Sequence, residues 1–289
     1  MKLSYLIVVF TVLAAMTAAH AAGETGAQFL NIGVGARATA MGNSFVASAD
    51  DPSAIYWNPA GLAQFEYIEI MASHNFWIED MSYQFAGAVF PTEYGSFGIS
   101  FAYSSSGKIP KYENFTYLGD FNAYDMVGTV AYAARLGDFM SLGGSFKLIQ
   151  QKIEEESGFG YAFDIGIHKY LDPEQKISIG AAVQNIGPDI KFINEADPLP
   201  FKIKGGMAVS LGSFKVTGDI TSPKNEDVYF NFGGQLAIGE ILALRAGYNG
   251  EQKMTAGAGV VFHDAELGFS YVPMEELGSS TMLSLAFKF

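Results

Sequence analysis

Most of the chain is written in a two-residue rhythm. From about Glu66 to Phe289, runs of roughly 8 to 14 residues alternate apolar with polar or small side chains, separated by Gly, Pro or polar punctuation. Successive side chains of a strand point to opposite faces, so this pattern folds as strands rather than helices. In "GSFKVTGDIT", Phe214, Val216, Gly218 and Ile220 share one face and Lys215, Thr217, Asp219 and Thr221 the other. In "STMLSLAFKF", Thr281, Leu283, Leu285, Phe287 and Phe289 oppose Met282, Ser284, Ala286 and Lys288. About fourteen such runs can be traced, near 66–75, 81–91, 94–104, 122–135, 139–153, 159–170, 174–186, 199–211, 212–222, 226–237, 240–249, 252–262, 263–272 and 280–289. A sheet with that many strands must close, stack on another, or leave edges exposed.

Two architectures satisfy the count, a soluble sandwich or propeller-like array and a transmembrane barrel. Runs near ten residues match a tilted bilayer crossing. Tight turns such as Leu211-Gly212-Ser213, Ile238-Gly239-Glu240 and Phe262-His263-Asp264 join neighbours as periplasmic turns do. Other connections, "SSSGKIPKYENFTYLGDF" and "QNIGPDIKFINEADPLP", are longer and more polar, as outward loops are. The 24 Phe and 15 Tyr suit pleated surfaces, and 33 Gly suit turns, bulges and crowded backbone. The pattern therefore predicts an all-β fold, a transmembrane antiparallel barrel of about fourteen strands over 66–289. Phe289, an aromatic closing the final alternating run, resembles the terminal strand signal that barrel-assembly machinery recognises.

Residues 1–21 carry Lys2, an apolar run from Leu3 to Ala15 and the Ala19-His20-Ala21 cleavage pattern, which reads as a secretory signal peptide. No later segment holds 18 consecutive apolar residues, so spanning helices are not expected. The chain has no Cys, which removes disulfides, thiolate metal sites and a cysteine nucleophile. Its formal charge of −13, from 17 basic and 30 acidic residues, disfavours nucleic acid as a partner.

Residues 22–65 lie outside the alternation and form a separate segment, either a periplasmic arm or a plug inside the barrel. Within it "GVGARA" matches a shortened dinucleotide fingerprint but lacks the βαβ context, so Gly33 and Gly35 are read as places where backbone passes close to a wall. Asp50 and Asp51 lack the spaced oxygen ligands of a calcium loop. Asp51 before Pro52 reads instead as a helix cap with Pro at the first helical position, starting a short helix from Ser53 to Trp57 that Asn58-Pro59 ends. Ser73 and His74, the nearest thing to a hydrolytic pair, must point to opposite faces of a strand. His74, His168 and His263 are too scattered for a metal site, and Glu154-Glu155-Glu156 reads as a solvated loop tip. No catalytic residue, metal or cofactor is assigned.

The stretch Gly26 to Ala63, "GAQFLNIGVGARATAMGNSFVASADDPSAIYWNPAGLA", resembles the N-terminal segment of the PorV/PorQ family, a branch of FadL-like outer-membrane proteins. The resemblance rests on the "FL.IGVGARA.AMG" and "A.ADD.SAIYWNPAGLA" runs and, within the second, on the triplet Asn58, Pro59 and Ala60. It implies a fourteen-stranded outer-membrane barrel with an N-terminal hatch in the lumen, lodged by that triplet. It also implies a role in type IX-like secretion or surface attachment, with secreted proteins, other secretion components, barrel-assembly machinery and outer-membrane lipid as partners. The rival expectation is FadL-like passage of small hydrophobic molecules, which would call for an apolar cavity leading to a break in the barrel wall. A barrel-borne lipid hydrolase is the remaining enzymatic alternative.

Overall fold

The computed structural model describes residues 25–77, 81–192, 195–224, 226–251, 253–274 and 278–289; the signal segment expected at 1–21 lies outside them. The strands are β1 (Glu69–Phe76), β2 (Ser82–Thr92), β3 (Gly95–Glu113), β4 (Thr116–Leu136), β5 (Met140–Ile153), β6 (Glu156–Tyr170), β7 (Ile177–Ile186), β8 (Ile190–Phe192), β9 (Glu195–Asp197), β10 (Lys202–Leu211), β11 (Phe214–Pro223), β12 (Tyr229–Ile238), β13 (Leu242–Asn249), β14 (Lys253–Phe262), β15 (Ala265–Pro273) and β16 (Ser279–Lys288). All but β8 and β9 form one closed antiparallel barrel of 14 strands, each paired with its sequence neighbour and β1 sealed against β16. The β8–β9 hairpin stands apart as a two-stranded sheet between β7 and β10. No described helix is long and apolar enough to cross a membrane.

The alternation sorts the wall into two faces. Phe269 is 42% exposed while its neighbour Ser270 is completely buried, and the same inversion runs through Leu283, Leu285 and Phe287 against buried Ser280 and Met282. Along β6, Phe159, Tyr161, Phe163, Ile165 and Ile167 all face outward. Polar residues inside and large apolar ones outside reverse the arrangement of a soluble domain and fit a wall bathed in lipid. The barrel therefore spans a membrane.

Glu69 pairs with Lys288, so the barrel begins and ends at one rim. That rim also carries the tight turns at Gly212, Gly239 and His263, each with positive φ, which marks it as the short-turn rim. The opposite rim differs from the sequence reading in two places. Residues 104–121, expected to be a loop, continue β3 and β4 as a tall hairpin past a register shift between Ser105 and Lys108. Residues 184–200, also expected to be a loop, contain the β8–β9 hairpin. In both places paired backbone satisfies its own hydrogen bonds where an irregular loop of that length would need water or side chains to do so. Glu156, expected in a loop tip, likewise begins β6, while Glu154 at the turn pairs with Lys111 at 2.5 Å.

The N-terminal segment comprises a 3-10 turn (Gln28–Asn31), α1 (Ala36–Ala40), α2 (Ala54–Trp57) and a second 3-10 turn (Pro59–Gln64). Val34, Ala36, Ala38, Ala40, Phe45 and Leu62 within it are completely buried. α1 lies against β13 to β16, and Pro59–Gln64 lies against β2 to β6. A segment that touches both sides of a closed barrel through buried residues occupies its interior. Helices this short do not stand alone in water, so their form depends on the surrounding wall.

Candidate functional site

The interior is built from two kinds of contact between segment and wall. The first is direct backbone approach. A Cβ added at Gly257 would lie 2.5 Å from the Ala40 Cβ, and one at Gly233 would lie 2.6 Å from the Met41 carbonyl oxygen. Side chains at Gly247, Gly143 or Gly166 would overlap Gly42, Ala60 or Asn58 outright. These wall positions accept only hydrogen, which lets the segment dock without a gap.

Asn58 sits at the centre of this contact, fully buried and in extended backbone. Its Nδ2 donates to the carbonyls of Val46 (2.8 Å) and Ile167 (3.1 Å), and its Oδ1 accepts from the Ala60 N–H at 3.1 Å. Pro59 opens the second 3-10 turn. One amide thus ties the segment to itself and to β6.

Asp51 differs from its expected place. α2 begins at Ala54 with Ser53 at its N-cap, not at Pro52 after an Asp51 cap, because Ala54 and Ile55 bond back three residues to Asp51 and Pro52 in a tighter turn. The Asp51 carboxylate still accepts from the Ser53 N–H at 2.9 Å and from its hydroxyl at 2.5 Å. Gly35 has φ +81 at the N-cap of α1, a conformation that suits glycine, whereas Gly33 crowds Asn43 of its own segment and not the wall. Asp50, unassigned by sequence, joins Arg37 (2.8 Å) to Lys215 of β11 (2.9 Å). Burial would raise its carboxyl, but the two cations outweigh that and hold it well below the ordinary carboxylate range.

Asp219 accepts from the Phe45 and Val46 N–H groups at 2.7 and 2.9 Å, a second tie that residue patterns could not reveal. Ser73 is buried and His74 lies on the outer face, where its Nδ1 is 3.2 Å from Gln84 Nε2; they form no pair. His168 Nε2 lies 3.1 Å from the Ala47 carbonyl oxygen. Among the described residues no group of three or more His, Asp or Glu is placed to hold a metal. Phe289 donates its N–H to the Ile68 carbonyl oxygen just beyond β16, with its side chain largely exposed.

The second kind of contact is a cleft. Between the segment and β1, β15 and β16 lies an open space of about 310 Å³ near the far rim. Strand register sets its layers: Ser270 faces Met282 at the floor, Val272 faces Ser280 above them, and Asn75 adjoins Met282 from β1. Thr39 of α1 closes the floor, its Oγ1 2.7 Å from Ser270 Oγ. Trp77 and Met274 meet at the rim, the indole Nε1 donating to the thioether at 3.2 Å. On the outside, Ala72, Ala86, Ala88 and Gly128 leave an apolar trough of about 990 Å³ flanked by Phe101, Phe146 and Leu285. The break in the wall that sequence reasoning attached to the uptake expectation does not appear, since pairing runs unbroken around the described barrel.

The fold is that of FadL-like channels. The Pseudomonas putida toluene transporter TodX aligns at TM-score 0.66 and 14% identity over 89% of this chain and 98% of its own. The CymD monoaromatic hydrocarbon channel aligns at TM-score 0.68 and 13% identity over 89% and 98%. A Pseudomonas aeruginosa FadL homologue aligns at 0.57 and 11% over 94% and 99%. No curated protein matches the chain in sequence. A family model does match it over residues 8–199, so the chain belongs to the uncharacterised protein family UPF0164.

Proposed function

We propose that the protein lets small hydrophobic molecules pass the bacterial outer membrane. The observation that carries this reading is the cleft beside the N-terminal segment, a partly apolar lumenal space at the far rim of a barrel with a FadL-like fold. The named functions of TodX and CymD, which concern toluene and monoaromatic hydrocarbons, support it. In this reading residues 22–65 are a hatch, and Asn58, Pro59 and Ala60 hold it in place. The hatch shifts to admit a molecule, because nothing wider than the cleft crosses the glycine-lined contact below it.

This reading displaces secretion as the leading role. The PorV/PorQ resemblance of residues 26–63 is accounted for by the hatch alone, whose fit to a wall is common ground between a channel and a secretion adaptor. The test is reconstitution of the full chain in lipid vesicles. Toluene flux should rise above that of protein-free vesicles while a sugar of similar size stays excluded. Toluene flux equal to that of empty vesicles would overturn the reading. Retention of secreted proteins in the periplasm of a deletion strain would restore the secretion role.

A further inference from the structure

The chemistry of the cleft points beyond hydrocarbon. Asn75 is 5% exposed and lines the space, and Ser280 Oγ donates to its Oδ1 at 2.6 Å. The amide Nδ2 then makes no hydrogen bond to the described residues and is left to the open space that Asn75 lines. Asn31 Oδ1 and Asn43 Oδ1, on two further residues of the lining, are buried acceptors without partners. Neither Lys nor Arg lines the space, and its one charged residue is Glu251, which opposes an anion. Ile32, Trp77, Val272, Met274 and Met282 supply its apolar part, and Gln28, Thr39 and Ser270 add polar groups.

A space that mixes apolar walls with an unpaired donor and unpaired acceptors suits a group that can both accept and donate. A hydroxyl does both, and does so whichever way the Asn75 amide is turned. A space of this size holds a single ring. We infer that the cleft selects small neutral molecules carrying one hydroxyl on an apolar ring, with Asn75 as the residue that sets the preference. This rests on the uptake reading and narrows it.

Three probes of one skeleton separate the possibilities: toluene, 4-methylphenol and 4-methylbenzoate, titrated by calorimetry into the full chain in detergent. 4-Methylphenol should bind about tenfold more tightly than toluene, the effect of one well-made hydrogen bond to a buried partner. In Asn75→Leu its affinity should fall to that of toluene. Val272→Phe, which fills the space from the wall, should weaken all binding, and heat-modifiable gel migration checks that both variants are folded. Equal affinity for toluene and 4-methylphenol, or a preference that survives Asn75→Leu, would overturn the inference and leave uptake standing. Tightest binding of 4-methylbenzoate would overturn it in favour of a cationic site elsewhere. Binding of none of the three would overturn it too, and the vesicle flux of toluene then decides the uptake reading separately.

Discussion

The same N-terminal segment meets the same barrel in two different ways. Along Gly233, Gly247 and Gly257 on one side, and Gly143 and Gly166 on the other, segment and wall are so close that there is no room for a methyl group. Along Asn75, Val272 and Ser280, above the Thr39 contact, the wall keeps its side chains and a space of about 310 Å³ is left beside the segment. Glycine placement alone separates a seal from a cleft. A channel needs both, since a barrel of this width is too large for its wall side chains to fill.

The comparison breaks most sharply at the seal. Gly166→Val places a branched side chain where Asn58 and Pro59 already sit, and neither can retreat. Chemical unfolding should show a loss of about 3 kcal/mol, and leakage of small solutes from vesicles should rise. A variant as stable and as tight as the parent would show that the segment has slack to yield.

Asn58→Ala removes one amide that serves two carbonyls and an N–H in a dry site. The expected cost is about 2 kcal/mol, again with increased leakage. Unchanged permeability would mean that the Asn58 amide does not hold the hatch.

Asp50→Asn tests the charged tie. Its partly exposed pairs with Arg37 and Lys215 argue for a smaller loss, about 1 to 2 kcal/mol at neutral pH. The carboxyl is depressed in the folded state, so its contribution is present above the unfolded value of about 4 and is lost as the pH falls toward the folded one. Wild type and Asp50→Asn should therefore converge in stability on acidification. A gap that widened toward acid would assign the tie to another group.

The smallest effect on stability belongs to the cleft. Val272→Phe enters open space, so its unfolding should stay within about 0.5 kcal/mol of the parent while toluene flux falls. A strongly destabilised but fully permeable variant would show that the space is no passage.

The strands were legible because their period of two is local. Every one of the fourteen runs marked by alternation overlaps a barrel strand. What failed was at the far rim. "SSSGKIPKYENFTYLGDF" mixes Gly, Pro and charge and so reads as a loop, yet it pairs with itself as β3 and β4 because adjacent strands already hold the two arms in register. The signals for the site were fainter. Asn58-Pro59-Ala60 could be singled out, but its partners Val46 and Ile167 could not, because Ile167 lies far along the chain. Asp50 read as one of two adjacent acids, and only the closed barrel brings Lys215 to it.

Alternation, aromatic content and short Gly turns by themselves determined a membrane barrel and the residue types on each face, since those properties depend on neighbours one or two positions away. Which glycines touch the segment, which strands line the cleft, and which amide is left without a partner were decided only by tertiary structure. Register and barrel closure choose those neighbours across long sequence separations, and strand pattern fixes the face of a residue but not what stands opposite it.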